Sequence, residues 1–233
     1  MVFVILAVPF SGITPVAAQR KALILSSLEQ YTPMGYVGSI QRFLTSAGYE
    51  VTFVGGRNVT VSLLTTQLNN YDVIIWRTNA YEWAHVLYWY VGEIASQASL
   101  GTYAADFAAG WLDAHNGILG VSLDFFLNHF QAGSLSNVKV AILVASLASP
   151  IANALVSAGV RAVIDTFGIF SLYFNTLDYV IGTVVLYLSN GYNVKDAVYS
   201  TITPYVNMVP RDPLDSVETP QIWFTGDGTA TIT

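Results

Sequence analysis

Hydroxyl, imidazole, carboxyl and amide side chains are the chemistry this sequence can offer, because it contains no cysteine. Disulfides, thiolate metal sites and a cysteine nucleophile are thereby excluded. The histidines are His85, His115 and His129, scattered without ligand spacing, so no metal site is expected. Other polar residues stand at the ends of three apolar runs. VIIW leads to Arg77, Thr78 and Asn79; KVAILVA leads to Ser146; VRAVI leads to Asp165. A serine hydroxyl becomes a nucleophile only with a general base beside it. An amide cannot be that base, since it only donates and accepts hydrogen bonds. His85, six residues past Asn79, and His129 are the bases the sequence could bring to Ser146. Asp165 is readable as a carboxylate that binds a basic group or as a turn carboxylate before Thr166 and Gly168. Arg77 is the other candidate for binding. Asp106, Asp113 and Asp124 could supply paired acids for glycoside chemistry. They stand where turns or helix starts are expected, which is where aspartate is common anyway.

Those residues can meet only if the chain folds as a parallel sheet. From Lys21 the pattern alternates. ALILSSL (22–28) reads as a buried strand. Val37, Ile40, Phe43, Leu44 and Ala47 make one helical face, stopped at Gly48. EVTFVGG (50–56) is a second strand, Thr60 can cap a helix ending at Asn69-Asn70, and YDVIIWRTN is a third strand. Residues 83–93 fit a strand or a hairpin, 95–111 an excursion rich in small residues, and 121–130 an amphipathic helix. KVAILVAS (139–146) is the strongest strand. Pro150 opens a helix that Gly159 closes. VRAVID (160–165) is another strand, followed by a long helix over about 170–188, a break at Gly191 and a last short helix. QIWFTGDGTATIT (221–233) fits a hairpin or an edge strand turning at Gly226-Asp227-Gly228. Strand–helix alternation at this spacing predicts an α/β fold with a mostly parallel sheet flanked by helices on both faces. Ligands of such sheets bind beyond the carboxyl ends of the strands. Asn79, Ser146 and Asp165 therefore share one rim if their strands are neighbours.

Composition narrows the partners. Hydrophobic residues make up 53% of the 233 and charged residues 10%, with nine Lys and Arg and a net charge of −6. No basic patch exists, so nucleic acid is not an expected partner. Gly55-Gly56 and Gly226-Asp227-Gly228 lack a phosphate-loop context, and no cofactor is expected. Residues 1–18 form an apolar segment ending in Val16-Ala17-Ala18, which resembles a secretory leader lacking its usual leading positive charge. That predicts a secreted or cell-surface protein, touching membrane only through this segment, with residues 19–233 as a single domain. The Asn58-Val59-Thr60 sequon is a glycosylation candidate. Asn175 and Asp178 interrupt the longest apolar stretch (167–188), which favours a buried helix over a membrane span. The Tyr and Trp residues of 81–90 could pack in the core or form a sugar or protein contact surface.

The order of elements and several phrases resemble the caspase-like fold of the clostripain, gingipain and legumain group of cysteine peptidases, a three-layer sandwich. "YDVIIWRTNA" resembles the strand that ends in the catalytic His of those enzymes. "VKVAILVASLAS" resembles the strand that ends in the catalytic Cys. The segment from Ile151 to Val198 is similar to the region after that Cys: a helix, a Gly, a short strand, a long helix and a final helix. "FTGDGT" is similar to a "GDP"-like phrase near the end of such domains. The likeness spans roughly residues 21 to 230. It implies that the His position is Asn79 and the Cys position Ser146, or Ala145 if the register slips by one. In some members an acid selects a basic substrate residue, a part the resemblance would assign to Asp165. The expectation is a secreted pseudo-peptidase that acts through a protein or peptide partner or through self-association. Exposed sheet edges and the Thr-rich tail would suit strand addition. A filament or surface-layer subunit, and a hydrolase with Ser146 as nucleophile, are the alternatives.

Overall fold

The computed structural model describes residues 19–31, 33–167, 174–206 and 221–233. The expected leader lies outside them. The chain begins with β1 (Arg20–Ser26), α1 (Val37–Ser46), β2 (Tyr49–Gly55), α2 (Val61–Gln67) and β3 (Val73–Arg77). Next come two hairpins with helices between and after them: β4 (Ala80–Trp83), β5 (Val86–Ile94), α3 (Gln97–Thr102), α4 (Ala104–Ala108), β6 (Leu112–His115), β7 (Ile118–Ser122) and α5 (Leu123–His129). The remainder is β8 (Val140–Val144), α6 (Ser149–Ser157), β9 (Ala162–Phe167), α7 (Phe174–Ser189), α8 (Val194–Val206) and β10 (Gln221–Gly226).

The main sheet has the order β10-β9-β8-β3-β1-β2. Every neighbouring pair is parallel except β9 with β10. The central strands carry the unbroken apolar runs VIIW and VAILV, because both of their faces are covered. One face packs α1, α7 and α8 through Ile40, Leu44, Val180, Val184 and Val198. The other packs α2, α5 and α6 through Val61, Leu64, Phe125, Phe126, Ile151 and Leu155. The result is a mixed α/β, three-layer sandwich, as the alternating pattern predicted. A separate antiparallel sheet, β4-β5-β7-β6, packs Trp89, Val91, Leu119 and Val121 into the second core.

Local chemistry accounts for much of this. The Thr60 hydroxyl accepts the Leu63 N–H and caps α2, as expected. Pro150 lies in the first turn of α6, where its missing N–H costs nothing. Gly92 in β5 lies so close to the carbonyl oxygens of Gly56 and Ser27 that no side chain fits, and its φ is 99°. The antiparallel sheet thereby leans directly on the rim of the main sheet.

Several expectations need correction. The hairpin that is one of the two forms expected of residues 83–93 is present, but it begins earlier, at Ala80, and turns at Ala84-His85. A second hairpin, β6–β7, turns at Asn116-Gly117 just beyond the stretch that reads as an excursion. Val121 and Ser122 end β7, so the helix expected over 121–130 begins only at Leu123. Asp113 lies within β6 rather than at a turn or helix start, while Asp106 and Asp124 do occupy first helical turns. The C-terminal stretch is an edge strand followed by a tail that is not left free. Ala230 and Ile232 are buried, and Ala230 and Gly228 carbonyls accept the N–H groups of Val194 and Lys195 at the start of α8. The tail is therefore occupied within its own chain. Among the described residues no helix is long and apolar enough to cross a membrane. The interrupted apolar stretch contributes α7, packed against the main sheet.

Candidate functional site

The strands β3 and β8 are direct neighbours, with Arg77 opposite Val144. Their continuations carry Asn79 and Ser146 to the carboxyl rim of the sheet, where ligands of parallel α/β sheets bind. The two side chains meet: Ser146 Oγ donates to Asn79 Oδ1 over 3.0 Å. That amide oxygen also accepts the Ala80 N–H at 2.9 Å, which holds it in place. From β5, Trp89 Nε1 donates to the Ser146 carbonyl at 3.0 Å. The Thr166 hydroxyl accepts the Ala145 N–H at 3.1 Å and donates to the Ala145 carbonyl at 2.9 Å. Leu147, next after Ser146, has φ 53°. This is a conformation that a branched residue adopts only when its surroundings impose it. The turn from β8 into α6 is thus pinned from both sides.

The remaining candidates point elsewhere. Arg77 is 1% exposed and reaches away from the rim to Asp178 on α7, at 2.8 Å. Asp178 also accepts the Gly35 N–H at 2.8 Å. Burial raises its carboxyl pKa, against the pull of the Arg77 guanidinium and the Gly35 N–H. Asp178 is one of the polar residues that interrupt the apolar stretch; its place is opposite Arg77. Asp165 does not end its strand. It lies inside β9, opposite Leu143 and Trp223, because the strand runs on to Phe167. Its side chain is 1% exposed and accepts the Ser149 hydroxyl at 2.6 Å on the α6 side. Its other oxygen, Oδ1, is buried without a hydrogen-bond partner among the described residues. Desolvation raises the Asp165 pKa, opposed by the Ser149 hydroxyl. The structure therefore joins Asn79 with Ser146 and leaves Arg77 and Asp165 enclosed on opposite sides of the sheet.

Each of the three imidazoles is engaged or exposed away from the Ser146 hydroxyl. His85 sits at the tip of the β4–β5 hairpin with its side chain fully exposed, 3.6 Å from Glu82. His129 pairs with Asp106 at 3.1 Å and packs on Phe125. His115 stacks on Tyr81, whose hydroxyl donates to Asp113. Asp106 and Asp113 thus have separate partners, and Asp124 lies in the first turn of α5. Asn58 is exposed at the end of a short 3-10 turn, while the Thr60 hydroxyl of its sequon is used as the α2 cap. Among the described residues no three His, Asp or Glu side chains gather as a metal-binding group.

Sequence reasoning assigned no role here to Trp89 and Thr166, which hold this rim, or to Asp178, which holds Arg77 away from it. Asp178 left a trace as a charge in an apolar run. The other two left none, because their partners are backbone atoms far away in sequence.

No family model matches the chain, and no curated protein matches it. Among solved structures the chain is similar to an ADP complex of Bacillus subtilis pyridoxal kinase. Identity is 11%, with 84% of this chain and 95% of that one covered and a TM-score of 0.35. It is also similar to protein GSU0716 from Geobacter sulfurreducens, at 10% identity, 89% and 94% coverage and a TM-score of 0.41. At these values neither likeness carries an argument about the site.

Proposed function

We propose that this chain is a secreted or cell-surface, caspase-like domain that binds rather than cleaves. The observation that carries the reading is the Ser146–Asn79 hydrogen bond across β3 and β8. Those are the two positions that the resemblance assigns to a thiol nucleophile and its imidazole. The helix α6, Gly159, the strand β9, the long α7 and the final α8 come in the order that the resemblance implies. An amide oxygen accepts the hydroxyl hydrogen but cannot take the proton away, so the pair has no acid–base function near neutral pH. The rim is left as a recognition surface for a protein or peptide.

Restoring the two lost groups tests this. In Asn79→His/Ser146→Cys, the imidazole should stand beside the thiol and lower its pKa. Alkylation by iodoacetamide near pH 6.5 should then run about 10-fold or more faster than in Ser146→Cys alone. Equal rates would remove the geometric basis of the proposal. So would peptide turnover by the native chain that disappears in Ser146→Ala.

A further inference from the structure

The amino-terminal edge of the main sheet, opposite the rim that carries Asn79 and Ser146, places charges in a regular row. Glu50 on β2 pairs in register with Lys21 on β1. The same register runs on through Asp72, Lys139 and Arg161, each one residue ahead of the paired positions Val73, Val140 and Ala162 of β3, β8 and β9. Neighbouring strands thus contribute one charged side chain each, and Asp227 extends the row by pairing with Arg161 at 2.7 Å. By strand alternation the side chains point to the face of Leu23, Ile74, Ala141 and Val163. From Glu50 to Asp227 the signs cancel, so the row carries no net charge. It floors a groove of about 840 Å3, walled by Gln67, Asn69 and Asn70 after α2 and by Ser136 and Asn137 before β8. The lining is held in place by its own bonds. Asp72 accepts the Lys21 N–H at 2.9 Å and pairs with Lys139 at 3.2 Å. Asn137 donates its backbone N–H to Asn69 Oδ1 at 3.1 Å and its side-chain amide to the Asn69 carbonyl at 3.0 Å. Asn69 Nδ2, Asn137 Oδ1, the Lys21 ammonium and the Glu50 carboxylate have no hydrogen-bond or ion-pair partner among the described residues. Donors and acceptors are therefore interleaved along floor and walls.

These features select a ligand class. An apolar molecule would leave the lining unpaired. An ion would meet repulsion as well as attraction, because the signs cancel. A sugar hydroxyl both donates and accepts, so it matches an interleaved lining. Neighbouring strands lie about 4.8 Å apart, close to the length of one hexose unit in an extended chain, and the row from β2 to β9 spans roughly 19 Å. Tyr71, half-buried, supplies an aromatic ring to the same lining. We infer that this groove binds a neutral, extended oligosaccharide of about four hexose units, laid across the strands from β2 to β9. The site is separate from the Ser146–Asn79 pair, and the inference holds whatever that rim binds.

The test is titration calorimetry of the full chain with cellohexaose and chitohexaose. Maltohexaose, whose α-linkages curl the chain, is the comparison. At least one of the two extended saccharides should bind saturably, with Kd of about 1 mM or tighter. Its affinity should be the same at about 50 and 500 mM NaCl, since no net charge is neutralised. Maltohexaose should bind more weakly. Lys21→Met and Asn137→Ala, both at exposed positions, should each weaken binding about 5-fold or more by removing hydrogen bonds to the sugar. Asn153→Ala, an amide exposed on α6 outside the groove, should bind like the native chain. No saturable binding of either extended saccharide would overturn the inference. So would affinity that falls with salt, native affinity in both groove variants, or equal affinity for maltohexaose.

Discussion

The two hairpins of the antiparallel sheet solve one geometric problem with different residues. Both turn in two residues, and both place those residues in the left-handed region. The β6–β7 turn uses Asn116 at 51° and Gly117 at 76°; the β4–β5 turn uses Ala84 at 49° and His85 at 64°. Asn-Gly adopts this turn readily. Ala-His does not, and each such residue costs about 1–2 kcal/mol. The β4–β5 turn is held instead by what surrounds it. Tyr81 opposite Tyr88, with rings stacked at 5.5 Å, fixes the register, and Tyr81 packs closely against Gly120 of β7. Local preference writes one hairpin, and packing writes the other.

The largest effect that separates them lies in β5. Gly92→Ala would drive a methyl group into the Gly56 and Ser27 carbonyls, so the strand that imposes the strained turn could no longer dock. A loss of about 3 kcal/mol or more is expected, or roughly 6–12 °C in Tm, by thermal unfolding. If Gly92→Ala unfolds like the native chain, packing does not hold the β4–β5 hairpin.

Exchanging the turns gives the next effect. Ala84→Asn/His85→Gly should raise stability by about 1–2 kcal/mol, while Asn116→Ala/Gly117→His should lower it by a similar amount. Urea unfolding measures both. Equal effects of the same sign would mean that the strain at 84–85 is relieved elsewhere.

The smallest effect separates turn strain from charge strain. Turn strain does not depend on pH, whereas Asp165 carries a cost that does. Its folded pKa is raised above 3.8, chiefly by burial. The fold therefore prefers the neutral acid, and stability present below the unfolded value is lost as pH rises through the folded value. Asp165→Asn should gain on the native chain between pH 4 and pH 7. Part of the slope should remain, because Asp178 is raised in the same direction. A constant difference across that range would show that folding leaves the Asp165 pKa unchanged.

The same division runs through the candidate site. The runs VIIW and VAILV mark two buried strands whose ends face one rim, and Asn79 and Ser146 meet there. Asp165 is misplaced by its sequence pattern because a strand end depends on its neighbours. Pairing with β10 carries β9 two residues farther than its apolar run shows. Arg77 looks available for a ligand because sequence distance hides Asp178, which lies 101 residues away. The β6–β7 hairpin is legible in Asn116-Gly117 beside alternating apolar residues, but the small residues before it suggest a loop.

Periodicity, capping and punctuation are enough to set the α/β class, the buried strands and the cap of α2, because each depends on neighbours within a few residues. Which strands lie side by side, which charges pair and which turn is strained came only from the fold. Those outcomes depend on contacts between residues tens of positions apart, where packing outweighs what any short stretch of chain prefers on its own.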